Sequence, residues 1–413
     1  MRTPATPTPA TPTPPPPATP PTPVEPTATV LSELTTIRVG GAPARMVEPT
    51  TEAELIETAR AVWQDRGHWL LLGGGSNTVA SDDGFDGTVI RVITGGIERL
   101  DDGSSDRVRL RVQAGEPWDR LVATTVRNGW SGIEALSGIP GSTGAAPVQN
   151  IGAYGQELAG SLVAVDFLDE ASGRLRRMPA AELELGYRTS VLKRGLAGVV
   201  TAVELELTAD TTGIGAPLAA PVAYAGLADA LGVPLGTRVP VAELRRTVLE
   251  LRASKGMVLD PDDPDSVSAG SFFTNPIVSA EFAATLPADA PRWPLDADEP
   301  DLVAPLDAAD ADHSVSIFAV AEAAGQRALR QATGPRLVKL SAAWLIEQAG
   351  IRRSFALPGS RAAISSKHTL AITNRGGAGA EEIAQLARYV QGRVQSEFGV
   401  VLQPEPVLVG LYL

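Results

Sequence analysis

The stretch "SAGSFFTNP" (268–276) sets Ser271 among small residues and two phenylalanines, with Asn275 and the turn-forming Pro276 just behind. A serine there has four possible uses: nucleophile, proton donor, phosphate contact or turn residue. Other short stretches offer it company. "LELGYRTSVLKR" (183–194) holds Tyr187 and Arg188 at a loop. An arginine fork matches a carboxylate bidentately, although a surface ion pair is its commoner fate. "LRASKGMVLDPDDPDSVSAGSFFTNP" (251–276) brings Arg252 and Lys255 ahead of Ser271. Basic groups leading into a polar turn suit a phosphorylated substrate, while lysines exposed on helices are usually only solvated. "VVLQPEPVLVG" (400–410) fixes Glu405 between two prolines in an apolar strand context. Carboxylates are depleted in strands and costly to bury, so one held this rigidly has a use.

Two glycine-rich stretches could hold a cofactor. "LLGGGSN" (71–77) follows a buried strand. Gly73, Gly74 and Gly75 let the backbone turn so that successive N–H groups, with Ser76 and Asn77, converge as an anion nest fit for a diphosphate. The same residues also make an ordinary tight turn. "LSGIPGSTGAAPVQNIGAYG" (136–155) is harder to explain as a connection. Twenty aperiodic residues inside a folded domain tend to be a functional loop. Gly138, Ile139, Pro140, Gly141, Ser142, Gly144, Gln149, Asn150 and Gly152 offer a flat ligand bare backbone and short polar arms. "TLAITNRGGAGAEE" lacks the third glycine of a dinucleotide fingerprint, so Gly376, Gly377 and Gly379 are expected to form a plain turn.

Composition narrows the chemistry. The 413 residues can bury more than one core, and 44% hydrophobic with 20% charged residues suits a globular protein. A net charge of −13 argues against nucleic acid as partner. With no cysteine, disulfides, thiolate nucleophiles and iron–sulfur clusters are excluded. The three histidines lack metal-ligand spacing, so no metal site is expected. No apolar run approaches the roughly 18 residues of a membrane span, and the N-terminus lacks an apolar signal region. A cytoplasmic protein is expected.

The elements that must position these residues alternate between short β-rich runs and helices. Residues 1–29, almost all Pro, Thr and Ala, are expected to be a disordered tail. "HWLLL", "GTVIRV", "RVRLRVQAG", "SLVAVDFLD" and "GVVTAVELEL" have the texture of strands, and 51–67 and 116–130 that of helices. One domain is expected over 30–210 and a second over 211–413. The second has helices at 240–256, 338–350 and 379–399, and strands in "KHTLAITN" and the closing "VVLQPEPVLVG". Residues 286–313 carry eight Asp/Glu against one Arg and are expected to be a solvated insertion, not core.

Taken together, "LGGGSN", "SGIPGSTGAAPVQNIGAYGQEL", "GYRTSVLKR", "RASKGMVLDPDDPDSVSAGSFFTNP", "AAWLIEQAG", "ISSKHTLAITN" and "LQPEPVLVG" resemble the UDP-N-acetylenolpyruvoylglucosamine reductase (UDP-N-acetylmuramate dehydrogenase) family, in that family's order, over about residues 32–413. The resemblance implies an α+β protein. It has a FAD-binding domain of the vanillyl-alcohol-oxidase type, made of two α/β subdomains, and a substrate-binding domain particular to the family whose last segment can return to the first. It implies non-covalent FAD, NADPH as reductant, a monomer, and reduction of an enolpyruvyl UDP-sugar to UDP-N-acetylmuramate. That step feeds peptidoglycan synthesis, and through it cell shape and division. Arg188, Ser271 and Glu405 match the catalytic positions. Tyr224 matches the mobile-loop tyrosine of the family's first type. Tyr187, Arg252, Lys255, Asn275 and Gln348 fall where substrate contacts are expected. An acidic insertion at about 279–335 departs from the pattern.

The implied chemistry gives each residue work. The enol ether is conjugated to a carboxylate, so charge added with hydride from the flavin N5 spreads onto that carboxylate. Arg188 would hold and polarise it, with Glu405 assisting from the other side. Ser271 would then protonate carbon as an acid; no histidine in its motif activates it for attack. Two rivals remain: another FAD-dependent oxidase or dehydrogenase of the same cofactor fold, and a silent flavin- or nucleotide-sugar-binding sensor.

Overall fold

The computed structural model describes residues 29–100, 106–209, 215–295 and 336–413. The Pro/Thr/Ala tail and most of the acidic stretch lie outside them.

The chain begins with an α/β unit: β1 (Pro43–Val47), α1 (Glu52–Gln64), β2 (Trp69–Leu72), β3 (Thr78–Ala80) and β4 (Phe85–Arg91). β1, β4 and β2 form a parallel sheet, in that order. α1 starts where Thr51 and Glu54 close a capping box, satisfying two orphan donors reciprocally. Its apolar stripe of Leu55, Ala59 and Val62 packs on Ile90 and Val92. The helix was expected to run to Gly67, but it ends earlier, and Arg66 takes the left-handed conformation (φ 51°).

A second unit is an antiparallel sheet: β5 (Ile97–Leu100), β6 (Arg107–Gln113), α2 (Trp118–Arg127), β7 (Trp130–Ser131), β8 (Gly152–Ala153), β9 (Gln156–Glu157), β10 (Leu162–Asp169), β11 (Leu175–Pro179) and β12 (Gly198–Ala209). The main sheet runs β11-β10-β12-β6-β5, and among the described residues β8 pairs only with β9. In "RVRLRVQ" alternate valines and leucines are buried beneath α2, and the arginines face out. Trp118 is fully buried there and donates its indole N–H to Leu136 O. Arg111 of β6 joins the two units by pairing with Glu52 of α1 and Asp166 of β10 at 2.6 and 2.7 Å.

The remaining elements are α3 (Ala225–Leu231), α4 (Val241–Ala253), β13 (Ile277–Ser279), α5 (Ala280–Thr285), β14 (Arg292–Pro294), β15 (Leu337–Leu340), α6 (Ala342–Gln348), β16 (Ala362–Ile364), β17 (Ile372–Asn374), α7 (Ala380–Phe398) and β18 (Val407–Val409). The 19-residue α7 buries Ile383, Leu386, Ala387, Val390 and Val394 in the largest core. Each of the isoleucine, leucine and valine side chains contributes roughly 1.5–3 kcal/mol of burial. β18 pairs in parallel with β3, so the chain's last strand lies beside the stretch that follows the first glycine loop.

Three further expectations change. The helix foreseen over 338–350 begins only at Ala342, because "LVKL" is the central strand of the β13-β15-β14 sheet. "KHTLAITN" supplies a strand only at Ile372–Asn374. Finally, the front of the acidic stretch is structure: Ser279 caps α5, and Leu286 and Ala290 are buried in the main core. Flanking prolines and acids mask those two apolar positions in the sequence. Gly376 and Gly377, by contrast, form a turn, with Asn374 Oδ1 accepting from the N–H groups of Gly376 and Ala378.

Candidate active site

The two glycine stretches, more than sixty positions apart, are pressed together. A Cβ on Gly74 would land 2.7 Å from Gly141 Cα, and one on Gly73 2.3 Å from Ser142 Oγ. Only bare backbone permits that approach. Ser76 Oγ donates to Pro140 O at 3.0 Å. Gly144 N–H donates to Ala114 O at 2.7 Å, and Ile139 packs against the core around Trp118. The loops thus form one two-layered cradle with short polar arms, which suits the diphosphate and flat ring system of a flavin dinucleotide.

Glu405 enters the cradle from the far end of the chain. Asn77 Nδ2 donates to Gln149 Oε1 at 3.1 Å and to Glu405 O at 3.2 Å. Gln149 Nε2 donates to Glu405 Oε1 at 3.2 Å. Arg188 Nε lies 3.4 Å from the same oxygen. Arg188 Nη2 donates to Gly152 O at 2.8 Å and Nη1 to Asn150 O at 3.4 Å. Arg188 and Asn150 both hold left-handed backbones, φ 56° and 45°. Such conformations are strained for non-glycine residues and cluster at functional sites. Burial pushes the Glu405 carboxyl above its ordinary range, with Arg188 and then Lys193 pulling against it. Lys193 itself titrates below the usual lysine range, through desolvation first and the charge of Arg188 also.

The Ser271 segment borders Glu405. Residues 272–274 run antiparallel to 403–405: Glu405 N–H donates to Phe272 O at 2.9 Å, and Thr274 N–H to Gln403 O at 3.0 Å. Ser271 therefore sits one residue from the Glu405 backbone pairing. Among the described residues its hydroxyl has no hydrogen-bond partner, while Ser268 Oγ accepts the Gly270 N–H and caps the turn. Tyr187 lies beside Asn275, and its ring centre is 5.5 Å from the Arg188 guanidinium and 4.6 Å from Lys339 Nζ. Asn275 Oδ1 also accepts the Ala342 N–H at the start of α6.

A second cluster adjoins the first through β8. Tyr154, two residues beyond Gly152, meets Tyr224 edge-on at 5.8 Å, and Lys255 Nζ lies 5.8 Å from the Tyr154 ring centre. Tyr224, ahead of α3, is 47% exposed. Arg252 donates to Met257 O, and its buried Nε has no partner among the described residues. His368 joins this group: burial first, then the charges of Lys255, Arg353 and Arg252, lower its pKa to about 4. The cluster is a patch of cations and tyrosines able to take a phosphorylated, ring-bearing ligand.

Gln348 is the exception among the foreseen residues. It is exposed at the end of α6, and among the described residues no hydrogen bond ties its side chain to either cluster. Four residues of the site were not foreseen. Tyr154, Lys193 and His368 lie inside stretches already singled out, whereas Lys339 carried no signal beyond its residue type.

The cradle and the α+β architecture define a FAD-binding protein with a second, substrate-side domain. A family model described as FAD binding domain matches residues 43–179. Another, described as UDP-N-acetylenolpyruvoylglucosamine reductase, C-terminal domain, matches residues 262–409. The chain is 64% identical to the UDP-N-acetylenolpyruvoylglucosamine reductase of Leifsonia xyli subsp. xyli, covering 93% of this chain and 98% of that one. It is 46% identical to the enzyme of the same name from Nocardia farcinica, over 94% and 90%. The crystal structure of the Thermus caldophilus UDP-N-acetylenolpyruvylglucosamine reductase is similar with a TM-score of 0.55 at 26% identity, covering 92% of this chain and 97% of that one. The chain belongs to the UDP-N-acetylenolpyruvoylglucosamine reductase family.

Proposed function

We propose that this protein is a FAD-dependent oxidoreductase that uses NADPH to reduce the enolpyruvyl double bond of UDP-N-acetylglucosamine enolpyruvate. The product is UDP-N-acetylmuramate, a peptidoglycan precursor. The observation that carries this reading is the meeting of Arg188, Glu405 and Gln149 at the edge of the two-loop cradle, with the Ser271 segment paired alongside. An oxidase of the same cofactor fold would need the cradle but not this convergence.

Gly73–Asn77 and Gly138–Gly152 would hold FAD, which when bound supplies the electron pair for the reduction and is replenished by NADPH. Arg188, braced by the carbonyls of Asn150 and Gly152, holds the substrate carboxylate and stabilises the charge that grows on it. Glu405 keeps Arg188 in place and shapes the other side. Ser271 Oγ gives its proton to the carbon next to the carboxylate; a hydroxyl is acid enough for so basic a centre. Arg252 and Lys255 take the diphosphate, Asn275 and Tyr187 the sugar side, and Tyr224 closes over the ligand.

We assign the FAD-binding domain to residues 30–210 and the substrate domain to 211–413. We place the enzyme in the cytoplasm as a monomer, which gel filtration tests. An anaerobic spectrum of the purified protein tests the function. The reading predicts a yellow protein bleached by NADPH and re-oxidised only by the enolpyruvyl UDP-sugar. Re-oxidation by an alcohol-derived product in its place, or failure of NADPH to bleach it, would overturn the reading.

A further inference from the structure

Gly138, near the start of the long glycine loop, donates its N–H to Asp119 Oδ1 at 2.6 Å. Asp119 lies in the first turn of α2, and both of its oxygens accept from Arg245 of α4, at 2.7 and 2.8 Å. Arg245 also donates to Ser137 Oγ at 2.9 Å. One carboxylate and one guanidinium thus tie two consecutive loop residues to α4. That helix runs on to Arg252, and Lys255 follows its end. Gly138 also lies close against α4: a Cβ there would come within 2.8 Å of Leu249 Cδ2 and 3.4 Å of Arg252 Nε. A bidentate arginine–carboxylate pair fixes orientation as well as distance. Burial alone would push the Asp119 carboxyl up, but Arg245 and the Gly138 N–H outweigh it and hold it below its ordinary range.

We propose that Asp119 and Arg245 are positioning residues that hold α4, and with it Arg252 and Lys255, in register with the glycine loop, so that the nucleotide-sugar diphosphate binds at a fixed spacing from the cofactor. Neither residue needs to touch substrate for this. The proposal rests on the function assigned above. A pair that served only to staple α2 to α4 would not need to end on Ser137 and the Gly138 N–H.

The test is calorimetric titration of the FAD-loaded enzyme with UDP-N-acetylmuramate. D119N and R245Q are each expected to raise Kd roughly ten- to hundred-fold, the scale of misplacement effects remote from the chemistry. The double variant is expected to be no weaker than the worse single one, because both changes break one coupling. K255A is expected to weaken the unaltered enzyme but to add little on top of D119N. R245K, which keeps the charge without the fork, is expected to fall between, and it decides by the same criterion if D119N does not accumulate. Folded variants with Kd within about two-fold of the unaltered enzyme would overturn the proposal, as would losses that add across the cycle while flavin content falls. Absence of binding by the unaltered enzyme would overturn the functional reading first, and this proposal with it.

Discussion

Arg188 Nε stands 3.4 Å from Glu405 Oε1, yet the Glu405 carboxyl titrates above its ordinary range because burial costs it more than Arg188 and Lys193 return. A carboxyl whose folded pKa is raised contributes stability at low pH and loses it as pH rises through that pKa. The ionised Glu405 is therefore retained against stability. Glu405→Gln keeps an acceptor for Gln149 and removes the ionisation. The variant is expected to melt at or above the unaltered enzyme at pH 8, with the gap closing by pH 4–5, while kcat drops. Thermal melts across pH check this; a deficit in the variant that widens with pH would mean the ion pair dominates.

Arg188→Lys preserves the charge but not the fork that reaches Asn150 O and Gly152 O. Loss of one preorganised stabiliser of developing charge costs about 10²–10³-fold in kcat. That drop is expected here, with FAD still bound, and is read from turnover at saturating substrate and from the visible spectrum.

The cradle makes a steric prediction. Gly74→Ala places a methyl against Gly141 backbone, whereas Gly67→Ala meets nothing within 4 Å. The first is expected to purify colourless and the second fully yellow, by the ratio of flavin to protein absorbance. Equal flavin content in both would contradict the placement of the cofactor.

His368 has its pKa lowered to about 4, chiefly by burial. Between its ordinary value and about 4 the unfolded chain binds the proton and the folded one does not, so stability falls as pH falls through that window. The effect is on the order of a few kcal/mol. His368→Gln is expected to flatten the acid limb of stability there, measured by urea unfolding at pH 7 and pH 4.5. Parallel losses in both proteins would rule this out.

Much of the site was legible because its residues sit in short stretches with unusual composition. Glycines packed against backbone, an acid between prolines and an arginine at a turn each break a local rule, and such breaks stand out in a sequence. What was not legible is what three-dimensional packing alone creates. Nothing near His368 in sequence reports the cations of Lys255 and Arg252 around it, and nothing reports the Tyr187 ring above Lys339. Lys339 was foreseen in a helix because the run after it has helical spacing, but its strand is fixed by partners at Ile277 and Trp293. The burial of Leu286 and Ala290 was hidden by neighbouring acids and prolines.

The central claim is that Ser271 is the proton donor to carbon, and stopped-flow measurement of the two half-reactions of Ser271→Ala tests it most directly. Flavin bleaching by NADPH is expected to proceed within about two-fold of the unaltered enzyme. Re-oxidation by the enolpyruvyl UDP-sugar is expected to slow by at least about 10²-fold, the usual loss for a positioned general acid. Equal slowing of both halves, or none in the second, would contradict the role given to that hydroxyl.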